Sequence, residues 1–321
     1  MSYALWRAAR SKRDRPEVKK FVANWADELT RLSHDTLNET LALGRFNFFR
    51  IYDPKPREIS APSFRERVLH HALIYHIGPI LDRAAVFDSY ACRKNKGNVR
   101  AVKRAQQHLR RFPWYVKIDI SHFFDSIDHE ILKSLLSRKL KSKGVLTLCG
   151  RIIDSYHTQP GNGLPIGALT SQFFANYYLN SLDRLLLEGF KVSGMVRYMD
   201  DVVWWLQDKD TAKATLDKVR TFLFQQLALE IKENPRIQRS RCGLPLCGYR
   251  ILPGTIRLSR RRQRLYKDAC KQWQTVFQQG WIGPQHLQLC YDAARSITAH
   301  ADAVAFRRSI HAKTFHFSEE V

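Results

Sequence analysis

The sequence has few acidic residues for its number of basic ones. Its 321 residues include 30 Asp and Glu against 53 Lys and Arg, which leaves a formal net charge of +23. Such an excess argues against cationic partners and favours a polyanion, because Lys and Arg neutralise phosphates. Apolar residues still make up 44% of the chain, so a large core is expected. A globular protein that binds nucleic acid is therefore the first expectation.

Long apolar segments are missing as well. No uninterrupted apolar run reaches the ~18 residues that cross a bilayer, so no membrane partner is expected. Residues 1–18 lack the apolar segment and the small-residue cleavage site of a secretory signal. The sequence contains no Cys-x-x-Cys pair, which argues against zinc and against a disulfide framework. We therefore predict reduced core thiols in a cytoplasmic protein, at positions 92, 149, 242, 247, 270 and 290.

Repeats and low-complexity linkers are also absent, so closely packed subdomains are expected. Apolar spacing and turn residues indicate a mixture of helices and strands. This mixture favours an α+β fold in which helices pack against a small antiparallel sheet. The predicted elements are helices at 16–34, 64–82, 127–136, 169–187 and 211–228, a basic helix after a loop at 94–97, extended segments at 46–62, 114–120 and 195–205, and basic helical sequence from about 255.

Three aspartates occupy positions where charge is costly. Asp119 lies within the apolar strand predicted at 114–120, and Asp200 and Asp201 separate two apolar stretches. A carboxylate in such a strand needs a partner, and adjacent like charges raise each other's pKa unless a cation neutralises them. Hard oxygen ligands favour Mg²⁺. Two metals about 4 Å apart would suit in-line phosphoryl transfer.

The turn between the two apolar stretches has an unusual composition. Two-residue hairpin turns prefer Asn-Gly or Asp-Gly, and Met199-Asp200 suits that geometry poorly. The mismatch indicates a turn constrained to aim carboxylates at a metal. An isolated Asp-Asp pair is more often a surface turn. The flanking apolar strands, together with Asp119 in another strand, weigh against that interpretation.

These motifs resemble the reverse-transcriptase family over nearly the whole chain. Arg-Tyr-Met-Asp-Asp at 197–201 is similar to the family's metal-binding hairpin, and residues 117–132 are similar to its first catalytic strand. The resemblance implies an RNA-directed DNA polymerase that uses two Mg²⁺ ions, with Mn²⁺ as a substitute. The implied catalytic residues and metal ligands are Asp119, Asp200 and Asp201, with Ile120 as an additional metal contact.

The resemblance also implies a right-hand polymerase architecture. Its fingers would comprise residues 1–112 and its thumb residues 255–321. The palm would comprise residues 113–254, with a fingers insertion at about 130–165. Residues 54–62 resemble the fingertip segment, and residues 243–251 resemble the primer-grip strand pair.

Binding residues follow from the same resemblance. An aromatic ring at Phe124 would pack beneath the sugar and exclude a 2′-hydroxyl, which implies deoxynucleotides. The lysine that protonates pyrophosphate in the family has no direct counterpart, which leaves Lys232 or Arg236 as candidates. The implied nucleotide contacts are Lys55, Arg57, Phe124, Ile166, Gly167 and Gln172. The implied nucleic-acid contacts are Arg93, Lys94, Lys96, Arg100, Tyr198, Met199, Arg260, Arg261 and Arg262.

Residues 163–180 indicate a lineage within the family. Ile166-Gly167 and Ser171-Gln172 stand where many bacterial members carry Gln-Gly and Ser-Pro, and the pattern is similar to the enzymes of diversity-generating retroelements. That likeness implies cDNA synthesis with errors concentrated at template adenines. The implied partners are template RNA, primer, dNTPs, an accessory variability protein and a structured RNA. Ile166 offers only shape, and apolar pockets reject near-isosteres by only about 1–3 kcal/mol, so low fidelity is predicted.

Three other interpretations remain open at this stage. A retron-like or phage-defence reverse transcriptase with a dedicated non-coding RNA would share the chemistry, although the Ile-Gly…Ser-Gln pattern argues against the retron option. An RNA-binding protein that has lost catalysis would not need the intact aspartates. An RNA-dependent RNA polymerase is disfavoured by Phe124.

Overall fold

The computed structural model describes residues 1–52 and 56–314, which form helices around three small sheets. The predicted helices are confirmed, although two of them are divided. Residues 16–34 form two helices that meet at Asn24, and residues 169–187 form two short helices and a π-helical turn. The helices are α1 Ser2–Ala9, α2 Pro16–Ala23, α3 Trp25–Leu37, α4 Phe64–Ala84, α5 Asn98–Arg111, α6 His129–Ser137, α7 Lys143–Asp154, α8 Leu169–Tyr178, α9 Asn180–Arg184, α10 Lys209–Leu227, α11 Arg260–Gln278, α12 Pro284–Arg295 and α13 Val304–Thr314.

The strands of the described residues pair in antiparallel fashion. The first two form a hairpin, the next four form a central sheet in the order β4-β5-β3-β6, and the last three form a small sheet in chain order. The strands are β1 Phe46–Tyr52, β2 Pro56–Pro62, β3 Trp114–Asp119, β4 Gly194–Tyr198, β5 Asp201–Leu206, β6 Arg236–Arg239, β7 Leu244–Leu246, β8 Tyr249–Ile251 and β9 Ile256–Leu258.

The central sheet is covered on both faces, which explains why its strands are apolar in succession rather than in alternation. Trp204 and Trp205 show this directly, since adjacent strand residues point to opposite faces. Both side chains are 0% exposed. Trp204 joins the main core beneath the helices, and Trp205 joins a second core between α5 and the sheet β7–β9. Both tryptophans are therefore core residues.

The hairpin β1–β2 leads into α4 through a capping box. The Ser63 hydroxyl accepts a hydrogen bond from the main-chain N–H of Glu66, as expected for a Ser-x-x-Glu start. The buried Glu66 carboxylate also accepts from the main-chain N–H groups of Gly44 and Arg45, at 3.2 and 2.9 Å. The start of α4 thereby fixes the chain that enters the hairpin.

The cysteine prediction is correct in part. All six are free thiols, as expected, but only Cys149 and Cys270 are buried. Cys92 and Cys242 are exposed, so the prediction of core thiols is wrong for them. Cys92 lies in a turn and Cys242 ends a short 3-10 helix, so neither is on the apolar face of a long helix or strand.

None of the helices in residues 1–52 and 56–314 combines the length and the apolar character needed to span a membrane.

Candidate active site

The three predicted aspartates meet at one edge of the central sheet. Asp119 ends β3 and Asp201 begins β5, and the two residues are direct partners in the antiparallel register. Asp200 occupies the turn that joins β4 to β5. The antiparallel pairing of β3 with β5, which runs from Trp114 opposite Leu206 to Asp119 opposite Asp201, holds this register. The sheet therefore brings together carboxylates that are about 80 positions apart in the chain.

The turn has the backbone strain that its composition predicts. Met199 adopts φ of 54°, in the left-handed region that side-chain-bearing residues seldom occupy. Such a conformation persists where the surrounding structure over-determines it, and it is concentrated at functional sites. The observation supports a placement constraint on the adjacent carboxylates.

Two lysines neutralise part of this acidic cluster. Lys117 Nζ lies 2.6 Å from Asp201 Oδ1 and donates to the main-chain oxygen of Pro245 at 3.1 Å. Lys232 Nζ donates to Asp119 Oδ1, and the Lys232 main-chain N–H donates to the Asp119 carbonyl at 2.9 Å. Of the two candidate proton donors, the structure therefore brings Lys232 to the aspartates. Arg236 is exposed at the start of β6.

The carboxyl of Asp200 has a raised pKa. Burial, and secondarily the negative charge of Asp119, raise its pKa to about 6. The charge of Asp201 acts in the same direction, and Lys232 acts against it. A carboxylate held in such surroundings is stabilised by a nearby cation.

The donor set suits a divalent metal ion in its chemistry and position. Oδ1 of Asp201 is buried and makes no hydrogen bond of good geometry with the described residues, although Lys117 lies beside it. Within residues 1–52 and 56–314, however, no three His, Cys, Asp or Glu side chains converge as they stand on one metal position. Ligation would therefore require the carboxylates of Asp119 and Asp201 to turn away from their lysines. The fully buried Ile120 could add only its main-chain carbonyl.

A polar cleft of about 990 Å³ includes Ser121, two residues beyond Asp119, although Asp119, Asp200 and Asp201 are not among its lining residues. Among the predicted nucleotide contacts that the structure describes, Arg57 and Ile166 line it. Lys55 lies outside the described residues. Phe124 is half-buried against the main core and is not among the residues lining the cleft. The lining residues within the described ranges are Pro56, Arg57, Glu58, Ser121, His122, Asp125, Ser126, Asp128, Tyr156, Thr158, Gln159, Asn162, Ile166, Phe224, Ala228 and Glu230.

Gly167 sets the approach of the hairpin to the central body. Its φ is +128°, and a Cβ atom there would lie 2.8 Å from Ile59 Cγ2 and 3.2 Å from the Ser60 carbonyl oxygen. The neighbouring Ile166 carbonyl accepts from the Ser60 main-chain N–H at 2.8 Å. Glycine is therefore required by close approach as well as by conformation.

Gln172 lies away from the cleft. Its side chain is exposed, and Oε1 accepts a weak hydrogen bond from Cys92 Sγ at 3.4 Å. Tyr198 is half-buried, and its burial, followed by the electrostatic influence of Cys247 and Cys92, raises its pKa. The structure thus separates Gln172 from Arg57 and Ile166, with which the resemblance grouped it.

Some of the basic side chains in the loop before α5 and at its start are hydrogen-bonded within the protein. Arg93 donates to the Asp82 carboxylate and to the main-chain oxygens of Val86 and Ser89. Lys96 Nζ donates to the Phe87 carbonyl at 2.6 Å and lies 3.4 Å from the centre of the Phe87 ring. The Arg100 guanidinium donates to the main-chain oxygen of Asn95, and Lys94 is exposed.

Of the three arginines that open α11, Arg262 is held most firmly. It donates to the Tyr249 hydroxyl at 2.7 Å and to the Ile297 carbonyl at 3.0 Å, and it stacks over the Tyr249 ring. Arg261 is half-buried, and Arg260 is exposed. Arg260 is therefore the member of this group most accessible to a phosphate backbone.

The sequence interpretation missed two charged residues of this region, Lys117 and Arg197. Arg197 is fully buried and donates to the Asp183 carboxylate and to the main-chain oxygen of Met199. The signal was available, since Arg197 interrupts an apolar strand just as Asp119 does. Lys117 lies two positions before Asp119, which places both on one face of β3.

Comparison with known proteins adds independent support. The sequence profile of the family described as "Reverse transcriptase (RNA-dependent DNA polymerase)" matches residues 53–234. The chain is 26% identical over 163 residues to Protein YkfC of Escherichia coli (strain K12), which is 46% of this chain and 42% of that protein. It is also 26% identical over 141 residues to the group II intron-encoded protein LtrA of Lactococcus lactis subsp. cremoris, which is 42% of this chain and 23% of LtrA. The matches thus span less than half the length of these relatives.

Two solved structures of Candida tropicalis telomerase share the fold. The apo form matches with a TM-score of 0.52 and 11% identity, covering 78% of this chain and 54% of that chain. The form with a fragment of telomeric RNA matches with a TM-score of 0.50 and 13% identity, covering 90% and 59%. At such identities the likeness concerns the fold alone. It confirms the predicted α+β right-hand polymerase architecture with small antiparallel sheets.

Proposed function

This chain belongs to the reverse transcriptase family, and on that premise we propose that it extends a primer with deoxynucleotides on an RNA template. The observation that carries the proposal is the meeting of Asp119, Asp200 and Asp201 at paired strand ends, beside a strained turn. Carboxylates in that arrangement serve phosphoryl transfer between oxygens. A shared fold does not by itself assign a reaction, so the proposal depends on the residues of the site.

The chemistry assigns a role to each group near the turn. The three aspartates, with the Ile120 carbonyl, would hold divalent ions, for which hard oxygen donors favour Mg²⁺ and permit Mn²⁺. A two-metal centre supplies activation of the attacking primer hydroxyl and stabilisation of the leaving oxygen. The primer hydroxyl oxygen would bond to the α-phosphorus and lose its proton to water as the bond from the α-phosphorus to pyrophosphate breaks, and the Lys232 ammonium would give a proton to the leaving pyrophosphate oxygen. Its contact with Asp119 favours Lys232 over Arg236 for this role.

Nucleotide selection is proposed for the cleft and its surroundings. Arg57, exposed on β2 at the cleft, and Lys55 just before it would meet the triphosphate, since Arg suits multidentate phosphate contact. Phe124 would exclude the 2′-hydroxyl, although only movement of its ring would bring it to the cleft lining. Gly167 would shape the site through the close approach of the hairpin, and Gln172, which is not among the residues lining the cleft, would contact the nucleotide from the side of Cys92.

The architecture suggests how the nucleic acid lies. We assign residues 1–112 to fingers, 113–254 to palm with the insertion at about 130–165, and 255–321 to thumb, because the central sheet lies within 114–239 and α11–α13 follow it. A template–primer duplex would run across the palm, with phosphate contacts at Lys94, Lys96, Arg100, Arg260 and Arg261 and contacts to the primer end at Tyr198 and Met199. Free thiols at all six cysteines accord with a cytoplasmic location.

A finer proposal concerns fidelity and lineage. Ile166 lines the cleft and offers no side-chain hydrogen bond, so discrimination there rests on shape. We propose error-prone copying at template adenines within a diversity-generating retroelement, with an accessory variability protein and a structured RNA as partners. The relatives described above include a group II intron-encoded protein, so this lineage rests on residues 166–172 alone.

Primer extension tests the reaction. A labelled DNA primer on an RNA template with Mg²⁺ should be extended with dNTPs and far less with rNTPs, and Asp200→Ala should abolish extension. The assay is run with the protein alone and again with the RNA and protein encoded beside its gene. A lack of extension in both conditions would contradict the proposal, as would equal use of rNTPs.

Misincorporation tests the finer proposal. Wild-type protein should misincorporate more often opposite template adenine than opposite the other bases, and Ile166→Gln should reduce the difference. Sequencing of cDNA from one template with all four bases measures both rates. Equal error at the four bases would overturn the lineage while leaving the polymerase intact.

A further inference from the structure

Arg197 places a guanidinium inside β4, among apolar neighbours. Its side chain is 0% exposed, and a buried charge is costly unless its donors are paired. Nε and Nη2 donate to the carboxylate of Asp183 on α9, at distances of 2.7–2.9 Å. Asp183 is also 0% exposed, so each charge depends on the other.

The other hydrogen bonds of Arg197 reach beyond this ion pair to the catalytic turn. Nη1 donates to the main-chain oxygen of Met199 at 3.3 Å and to Asn176 Oδ1 at 3.0 Å. Nη2 also donates to the Asn176 main-chain oxygen at 3.0 Å. One planar group therefore ties the strained residue of the turn to helices α8 and α9. A lysine ammonium, as a single point charge, could not span these acceptors.

The main chain of Arg197 fixes β4 from its open side. Its N–H donates to the Asp88 carbonyl and its carbonyl accepts from the Tyr90 N–H, both at 2.9 Å. Asn176 Nδ2 also donates to the Ala91 carbonyl at 2.7 Å. Residues 88–91 thus cover the free edge of the central sheet at the level of Arg197. The side chain and the backbone together leave the start of the turn little freedom.

We propose that Arg197 is a positioning residue, which holds the Met199 carbonyl so that Asp200 and Asp201 are presented to the divalent metal. The inference rests on the proposed metal-dependent function. Arg197 would contact neither substrate nor metal, and part of the metal affinity would still depend on it. Groups that orient metal ligands in this way typically change affinity or activity by about 10–100-fold when removed.

A purely structural role is the competing explanation, and energetics separate the two. A buried ion pair can often be replaced by apolar residues of similar size without loss of stability, whereas removal of one partner leaves an uncompensated charge. The paired change Arg197→Met with Asp183→Leu should therefore fold. It removes the hydrogen bonds to Met199 and Asn176 without leaving an uncompensated buried charge.

The test uses Mn²⁺ as the probe, measured by electron paramagnetic resonance in the absence of nucleotides and nucleic acid. We expect the double variant to keep its Tm within a few degrees and to bind Mn²⁺ about tenfold or more weakly than wild type. In primer extension, kcat should fall while KM for dNTP changes little. Arg197→Lys should give an intermediate Mn²⁺ affinity, because it retains the charge and loses the planar group.

The control is the Arg65–Asp35 ion pair, which joins α4 to α3 at 2.8 Å. Arg65→Met with Asp35→Leu removes a partly exposed ion pair that is distant in sequence from the turn, and its Mn²⁺ affinity should match wild type. Equal Mn²⁺ affinity in wild type and the folded Arg197→Met/Asp183→Leu variant would overturn the inference. So would a wild-type protein that binds no Mn²⁺. A wild type that binds Mn²⁺ but extends no primer contradicts the proposed function and leaves the inference to be decided by the affinities.

Discussion

At Asp200, burial and neighbouring charge both act against ionisation. The pKa of its carboxyl rises to about 6 in the folded chain, above the value of about 3.9 expected when unfolded. The folded state then binds this proton more tightly than the unfolded state does. The stabilisation is fully present below the unfolded pKa and is lost as the pH rises through about 6. Above that pH, ionised Asp200 destabilises the metal-free fold.

Asp200→Asn should therefore stabilise the metal-free protein at pH 8. We expect a gain of about 1–2 kcal/mol in the free energy of unfolding, after discounting the pKa shift for solvent screening. The gain should fade towards pH 4, where the wild-type carboxyl is protonated. Urea denaturation in EDTA at pH 4 and pH 8 measures it, with Asp210→Asn, at an exposed residue, as the control. A variant less stable than wild type at pH 8 would contradict the assignment.

Residue by residue, the sequence is informative where it breaks an apolar pattern. Asp119, Asp200 and Asp201 could be found because carboxylates in core strands need an explanation. The same rule, applied to Arg197, would have identified it as a buried charge next to the turn that needs partners. The contact between Lys117 and Asp201 could not be found in this way, because it depends on which strand lies beside β3.

At the scale of elements, the hairpin β1–β2 contacts the central body at Ile166 and Gly167 as well as at Tyr156. The Ile166 carbonyl accepts from the Ser60 N–H, and Gly167 leaves no room for a side chain against Ile59. Arg57 lies on β2, the strand that contains Ile59 and Ser60. Its placement at the cleft therefore depends on this contact.

Gly167→Ala should displace the hairpin and weaken nucleotide binding. The added Cβ would lie 2.8 Å from Ile59 Cγ2, so the strand must shift. We expect KM for dNTP to rise by about tenfold or more, because small misplacements of substrate-positioning groups are costly. Gly161→Ala is the matched control, since Gly161 also has a positive φ but a Cβ there meets nothing within 4 Å. An equal KM in the two variants would show that backbone strain alone is responsible.

Helix periodicity located the elements but not their breaks. The predicted helix 16–34 divides at Asn24, whose φ of −119° and ψ of 36° leave the helical region. The predicted helix 169–187 divides at Leu179 and ends in the π-helical turn Leu185–Gly189. Val22 and Trp25, on either side of the first break, are exposed, and an amphipathic pattern alone does not record such a change of axis.

For the molecule as a whole, the net charge of +23 indicates a polyanionic partner but not where it binds. The structure commits Arg93 and Arg262 to internal hydrogen bonds and leaves Lys94 and Arg260 exposed. Composition could not make this distinction, because it depends on neighbours supplied by distant segments. The likeness to telomerase was likewise visible only in the fold.

Salt dependence of duplex binding should separate these arginines. Each phosphate contact contributes about 0.7–0.9 to the slope of log K against log salt concentration, so Arg260→Ala should lower the slope by about that amount. Arg262→Ala should leave the slope unchanged and lower Tm, since it loses its contacts to Tyr249 and Ile297. Fluorescence anisotropy with an RNA/DNA hybrid across a salt series measures the slopes. A larger slope change for Arg262→Ala than for Arg260→Ala would contradict the proposal that Arg260, rather than Arg262, contacts phosphate.

We propose that the paired strand ends of Asp119 and Asp201, with Asp200 between β4 and β5, form a reverse-transcriptase centre. Single-nucleotide incorporation on a preformed RNA/DNA hybrid with Mg²⁺ tests it most directly, for wild type, Asp119→Asn and Asp210→Asn. We expect wild type and Asp210→Asn to incorporate the nucleotide at equal rates. Asp119→Asn should be slower by at least about a thousandfold with unchanged Tm, since metal ions supply several kcal/mol to the transition state. Incorporation by Asp119→Asn at the wild-type rate would contradict the assignment of these aspartates to the catalytic centre.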